Sequence, residues 1–125
     1  MLNKLLKDIP TIYIVYGATD FRKQIPSLCN MVKKQYEMNP YQKVAFMFCN
    51  RKRNSIKVLC YDKNGFVLAQ KTLLDVSKYK FKWPKNEKEL GQITHEQLSW
   101  LLSGLQICPK SYFKDIEIEN DKIAI

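Results

Sequence analysis

From Ile12 to Tyr16 the chain is β-branched and aromatic, bounded by Pro10 and Gly17, and this run predicts a strand. The preceding residues 1 to 10 are a short amphipathic lead whose pattern fits either a helix or an ordered arm. A polar connection, Gly17 to Lys23, follows. Beyond it Ile25, Leu28, Cys29, Val32 and Tyr36 recur at helical spacing, with Pro26 at a first-turn position where a missing N–H costs nothing. The spacing predicts a helix over about 25–37, ended by Asn39-Pro40.

The middle of the chain is β in character. Lys43 to Cys49 is a short apolar run that stops at a basic turn, Asn50-Arg51-Lys52-Arg53-Asn54. Two further runs, Ile56 to Tyr61 and Phe66 to Leu73, flank Asp62-Lys63-Asn64-Gly65, and an Asn-Gly pair there predicts a hairpin of the type I′ kind. Lys78 to Trp83 alternates strictly, which predicts a strand with Tyr79, Phe81 and Trp83 on one face and Lys78, Lys80 and Lys82 on the other. Pro84 ends it.

After a polar stretch over 85–93, Thr94 and Gln97 make a capping box, and Leu98, Leu101, Leu102 and Leu105 give the stripe of a core-facing helix that closes near Gly104. The tail from Asp115 to Ile125 alternates weakly and is acidic, as a final edge strand or a loose end would be. Strands joined by tight turns predict an α+β fold. Its expected form is a mostly antiparallel sheet of about five strands with two amphipathic helices packed on one of its faces. With 125 residues and no repeat or linker composition, residues 1–125 read as one domain.

Charge changes the picture. Lys and Arg number 21 against 12 Asp and Glu, a formal charge of +9, with an isoelectric point near 9.4. Such an excess draws polyanions, of which nucleic acid is the commonest in the cytoplasm, although lysines also serve solubility alone. The four cysteines, at 29, 49, 60 and 108, include no C-x-x-C pair, and three sit in apolar runs. They read as reduced thiols of a cytoplasmic protein, with no metal site and no cofactor. No apolar run approaches the roughly 20 residues of a spanning helix, so no membrane association is expected.

Catalytic chemistry finds little support. The lone His95 lies in the first turn of the second helix without a placed nucleophile or co-ligands. Two-metal phosphoryl transfer needs converging carboxylates, and of the candidates Asp20, Asp62 and Asp75 the last two belong to turns. Asp20 reads as a local brace with Arg22; Arg22 and Lys23 either share in that or face outward to grip phosphate. The best nucleic-acid candidates are Arg51, Lys52 and Arg53 in the basic turn, Lys57, and the Lys78, Lys80 and Lys82 row. Their bland alternative is a solvated, lysine-protected sheet face.

These pieces together resemble a known family. Gly17-x-Thr19-Asp20-x-Arg22-Lys23 is followed by Phe46 to Arg53 with Ile56-Lys57-x-Leu59, and then by Tyr61-Asp62-x-x-Gly65-Phe66. Phe81-x-Trp83-Pro84 and Leu98-x-Trp100-Leu101-Leu102-x-Gly104-Leu105 complete the series. In this order, over about residues 9 to 107, the chain resembles the TnpB-type accessory protein of the IS sixty-six family of insertion sequences. The acidic tail after Pro109 matches no family pattern. Several lysines, Lys52 among them, stand where the family favours arginine, which keeps the charge and loses the bidentate fork.

The resemblance implies a small protein encoded beside a separate transposase and needed for efficient transposition, without catalytic activity of its own. The much larger RNA-guided nuclease that shares the TnpB name is unrelated. DNA at the element ends or the target, and the transposase, are the partners implied, and self-association is compatible with both. The leading expectation is DNA binding through Arg22, Lys23, Arg51, Lys52, Arg53 and Lys57, with Lys80 and Lys82 extending the footprint. The rival is a module that bridges transposase subunits and binds DNA weakly, and the third is a metal-dependent nuclease using Asp20.

Overall fold

The structure is a computed structural model that describes residues 1–74, 80–86 and 89–104. In chain order the elements are α1 (Leu2–Leu5), β1 (Thr11–Val15), α2 (Ile25–Gln35), β2 (Val44–Cys49), β3 (Ser55–Asp62), β4 (Gly65–Thr72), β5 (Leu90–Ile93) and α3 (His95–Leu102). The strands form one sheet in the order β4-β3-β2-β1-β5. β1 and β2 are parallel, joined through α2; the β2–β3, β3–β4 and β1–β5 pairings are antiparallel. The mostly antiparallel α+β architecture expected from the pattern is the one observed.

Its layering differs from the expectation. α2 covers one face, with Leu28, Cys29 and Val32 packed against Val15, Val44, Phe46, Phe48 and Leu59. The opposite face is covered by Leu2 and Leu6, by Leu98 and Leu101 of α3, and by Phe81 and Trp83, which meet Ile12, Ile14, Met47, Ile56 and Val58. The helices therefore sit on both sides of the sheet instead of sharing one. This explains why all six residues of β2 are buried: alternate side chains enter two different cores. Each fully buried Leu, Ile or Phe contributes roughly 1.5–3 kcal/mol.

The local signals account for the ends of the helices. Pro26 occupies the first turn of α2. Thr94 accepts from the Gln97 backbone N–H at 3.0 Å, while the Gln97 side chain accepts from the Thr94 N–H at 2.8 Å. Gly104, at φ +86°, takes the left-handed position that ends α3. The amphipathic lead is resolved in favour of a helix, α1, tied to α3 by Asn3 donating to Ser99 at 2.9 Å. Leu105, Cys108, Asp75 and the tail from Asp115 onward lie outside the described residues.

Three local readings are corrected. The hairpin loop is Lys63-Asn64, one residue earlier than the Asn-Gly pair, and Lys63 alone carries the positive φ, +53°. Residues 80–83 are not a strand. Their alternation is real, with Phe81 and Trp83 buried and Lys80 and Lys82 exposed, but the segment is tied down singly. Phe81 N–H donates to Arg53 O at 2.8 Å, and the Trp83 indole N–H to Val15 O at 2.8 Å. Lys78 and Tyr79 lie outside the described residues. The fifth strand is instead β5, within the stretch that read as polar connection.

β5 depends on a glycine. Gly91 pairs with Ile14, and a Cβ there would collide with the Tyr16 hydroxyl and ring. Gly65, by contrast, has open space around its Cβ position. Gly91→Ala is expected to cost about 1–3 kcal/mol in urea unfolding, and Gly65→Ala clearly less. Equal losses would mean that Tyr16 swings aside freely.

Candidate nucleic-acid interface

Because β1 and β2 run parallel as neighbours, both strands end at the same edge of the sheet. The connection leaving β1 (17–24) and the turn leaving β2 (50–54) therefore come together, and Thr19 N–H donates to Cys49 O at 2.8 Å to fasten one to the other. Between them lies an open cleft of about 640 Å³, bordered by Thr19, Asp20, Arg22, Arg51, Lys52 and Asn54 among others. Sequence-distant cations thus border one concavity. Arg51 and Lys52 are exposed, and the Arg22 side chain is 91% accessible.

Two asparagines shape the basic turn. Asn50 Oδ1 accepts from the backbone N–H of Asn54 at 3.0 Å and of Ser55 at 3.1 Å, and its Nδ2 donates to Asn54 Oδ1 at 2.6 Å. The clasp absorbs backbone donors that a turn would otherwise leave bare, and it holds Arg53 at φ +59°. Neither asparagine was singled out from the sequence. Their signal was present nonetheless, as Asn residues at both ends of a basic triplet.

Asp20 is the brace that the sequence suggested. Its carboxylate accepts from the Arg22 backbone N–H at 2.9 Å, from Nε at 3.0 and 3.1 Å, and from Nη2 at 2.7 Å. The hydrogen bonds from the Arg22 side chain, then its backbone N–H and its charge, lower the Asp20 pKa from 3.8 to about 2. The Arg22 pKa is raised in turn, first by the hydrogen bond to Asp20.

Lys57 is not a surface cation. It is 4% exposed and points to the α2 face of the sheet. Its ammonium donates to Phe21 O at 2.9 Å and Lys23 O at 3.0 Å, and lies 4.9 Å from the centre of the Phe21 ring. The physical reason is the second helical layer: with both faces covered, a polar residue in β3 has no water to face and turns to backbone carbonyls. Lys57 is withdrawn as a phosphate contact and becomes the post on which the 17–24 connection rests.

The remaining residues divide between the two ends of the sheet. Lys23 is half-buried and borders a groove along α2 with Asn30 and Lys34. Lys80 and Lys82 are exposed on the segment anchored to Arg53 O. Trp83 and Pro84 meet Gly17, Ala18, Arg51, Arg53 and Lys85 around a small second cavity of about 140 Å³. Asp62 and Gly65 lie at the far end of β3 and β4, beside the packed rings of Tyr41, Tyr61 and Phe66. Asp62 and Asp20 therefore do not converge, and among the described residues no three His, Cys, Asp or Glu side chains are grouped as metal ligands. Cys29, Cys49 and Cys60 are buried, with burial pushing the Cys49 thiol up to about 12, so none is a nucleophile at neutral pH. His95 Nε2 is hydrogen-bonded with Ile9 O at 2.9 Å, a structural link between the lead and α3.

Lys57→Met keeps the aliphatic stem and leaves two carbonyls without their donor. It is expected to lose about 1–3 kcal/mol of stability by denaturant titration; an unchanged midpoint would mean that water replaces the ammonium without loss. For Asp20, a folded-state pKa lowered below 3.8 means that its contribution to stability is present above that value. The contribution fades as the pH falls toward 2. Arg22→Ala is expected to return the Asp20 carboxyl titration, followed by carbon NMR, to about 3.8. A midpoint still near 2 would assign the shift to other groups.

Comparison with known proteins places this arrangement in a lineage. Over 94 residues, 75% of this chain and 79% of the relative, the sequence is 35% identical to the "Uncharacterized protein y4hO" of Sinorhizobium fredii (strain NBRC 101917 / NGR234). No solved structure matches it. The model of the family described as "IS66 Orf2 like protein" matches residues 10–111, which include the 17–24 connection, the basic turn and α3. The chain belongs to the IS66 Orf2-like family of insertion-sequence accessory proteins.

Proposed function

We propose that this protein is a non-catalytic accessory factor in transposition that binds DNA through the cleft between the 17–24 connection and the 50–54 turn. The observation that carries this reading is the convergence of Arg22, Arg51 and Lys52 on one open cleft, from segments far apart in sequence. Scattered cations would have served solubility alone; cations gathered at a concavity suit a chain of phosphates. Family membership supplies the setting, since an accessory protein of an insertion sequence works beside its DNA and its transposase.

In this reading Arg22, Arg51 and Lys52 contact phosphate directly and Arg53 supports them from the adjoining cavity. Lys23, Lys80 and Lys82 extend the footprint to either side. Asp20 occupies only part of the Arg22 guanidinium, since it engages Nε and Nη2 and leaves the other N–H groups for an incoming oxygen. Lys57 acts indirectly, by holding the carbonyls of Phe21 and Lys23 in place.

The test is binding to a labelled duplex bearing the terminal repeat of the parent element and to a scrambled duplex, each across a salt series. Affinity is expected to fall steeply with salt, with a slope of about −0.9 per phosphate neutralised. Arg51→Ala, Lys52→Ala and Arg53→Gly combined should flatten that slope by roughly 2–3, with Gly chosen at 53 because its backbone has positive φ. Absence of binding at low salt would overturn the DNA reading. Co-purification with the transposase in that case would establish the bridging role in its place.

A further inference from the structure

The cavity beside the cleft differs from it in chemistry. Gly17, Ala18, the buried Trp83 and Pro84 line it together with Asn50, Arg51, Arg53 and Lys85. It shares Ala18, Asn50 and Arg51 with the larger cleft, so the two are adjacent. At about 140 Å³ it is too small for a helix face or a peptide segment and suits one flat ring. Among the described residues, no carboxylate lines it.

Its walls are held from several directions. Trp83 is 4% exposed, and its indole N–H is held by Val15 O at 2.8 Å. Gly17 N–H donates to Pro84 O at 2.7 Å, which fixes the spacing between the 83–85 segment and the connection. The Asn50 side chain is held in the turn through Asn54 and Ser55, with its Oδ1 accepting twice and one Nδ2 N–H donating to Asn54. What remains is a slot lined by apolar and cationic residues, next to a cleft whose cations suit phosphates. A heterocycle carried on a phosphate chain has this combination, and a paired base inside a duplex does not reach such a slot.

We propose that the slot receives a single unpaired nucleobase, so that the protein favours DNA with a frayed, forked or single-stranded end over continuous duplex. This rests on the DNA reading of the cleft and narrows its substrate. The slot offers a ring Trp83, Pro84 and small residues, so the selection is for an unpaired base. The adjacent Arg51 belongs to both cavities and would meet the phosphate on which that base is carried.

The experiment compares three labelled DNAs with the full chain: a blunt duplex, the same duplex with short unpaired thymidine tails, and an equal fork whose unpaired positions are abasic. The two forks carry the same phosphates, so counterion release is matched and only the base differs. The thymidine fork is expected to bind about fivefold or more tightly than the abasic fork, the lower end of what stacking one base contributes. Pro84→Phe, at a residue that lines the slot and not the larger cleft, fills the slot, removes no charge and keeps the carbonyl that accepts from Gly17 N–H; it should erase that ratio while blunt-duplex binding persists and shows the variant folded. Equal affinity for the two forks would overturn the slot and leave the cleft reading intact. A ratio that survives Pro84→Phe would place the base elsewhere and overturn it as well. Failure to bind all three DNAs would remove the cleft reading together with the slot.

Discussion

Covering both faces of the sheet buries β2 throughout and β3 from Ser55 to Cys60, and the remainder of the site follows from how β3 accommodates one lysine under that constraint. β2 and β3 send alternate side chains into two separate apolar layers. Lys57 falls on the α2 side, opposite Phe48, where an unsatisfied ammonium would carry a severe desolvation cost. The connection between β1 and α2 supplies the remedy, since Phe21 and Lys23 turn their carbonyls inward onto Nζ. The interaction is reciprocal. The lysine is tolerated because the connection bends over it, and the connection bends there because it has a buried donor to satisfy. Arg22 lies between those two carbonyl-bearing residues, so its outward position is fixed by a contact made underneath it.

The parallel β1–β2 pair sets the location of the cleft in the same causal way. A crossover through α2 returns the chain to the starting edge of the sheet, so two strands end side by side and two connections leave from the same edge. In open α/β sheets this carboxyl edge is where crevices form. Here the pair is short and its neighbours are antiparallel, yet the geometric consequence is the same. Cysteine 49 and Thr19 are linked across the gap by a backbone hydrogen bond, and the basic turn is pulled against the connection. The Asn50–Asn54 clasp then limits the conformations of Arg51 and Lys52, which lowers the ordering cost of any ligand they hold.

Most elements were legible because their signals were local. The capping box at Thr94 and Gln97, Pro26 in the first turn of α2, and Gly104 after α3 act over one helical turn, and each lies where its residue type implies. The readings that failed depended on tertiary neighbours. Alternation from Lys80 to Trp83 reports that one side of the segment is buried, and it does so correctly, but it cannot tell a ladder from a segment anchored through Phe81 N–H and the Trp83 indole. β5 was missed because Leu90-Gly91-Gln92-Ile93 is short, and its glycine is there for the Tyr16 ring instead of a turn. Lys57 was misplaced for a related reason: a polar residue within a strand reads as solvent-facing only if the sheet has a wet face, and α2 removes it. At the site, Asp20 and Arg22 were legible since they are two residues apart. The union of Arg22 with Arg51 and Lys52 was not, because it depends on which strands are neighbours.

An acidic residue in a basic cleft needs an electrostatic account. Asp20 cancels part of the charge that Arg22 brings, and on a simple count this weakens attraction for an anion. The hydrogen-bond geometry shows what is gained. With the carboxylate on Nε and Nη2, the guanidinium cannot rotate freely, although its side chain is 91% accessible. A long, exposed arginine otherwise loses rotamer freedom on every contact it makes, of the order of 1–2 kcal/mol. Asp20 restricts that freedom in the unliganded protein, and its own backbone contact, from the Arg22 N–H, ties the pair to the connection that Lys57 supports from below. On the proposed reading, a phosphate oxygen would meet an arginine at the cleft whose freedom is already restricted. If the cleft takes DNA as proposed, a few oriented donors would give register where a larger number of free lysines would give only attraction.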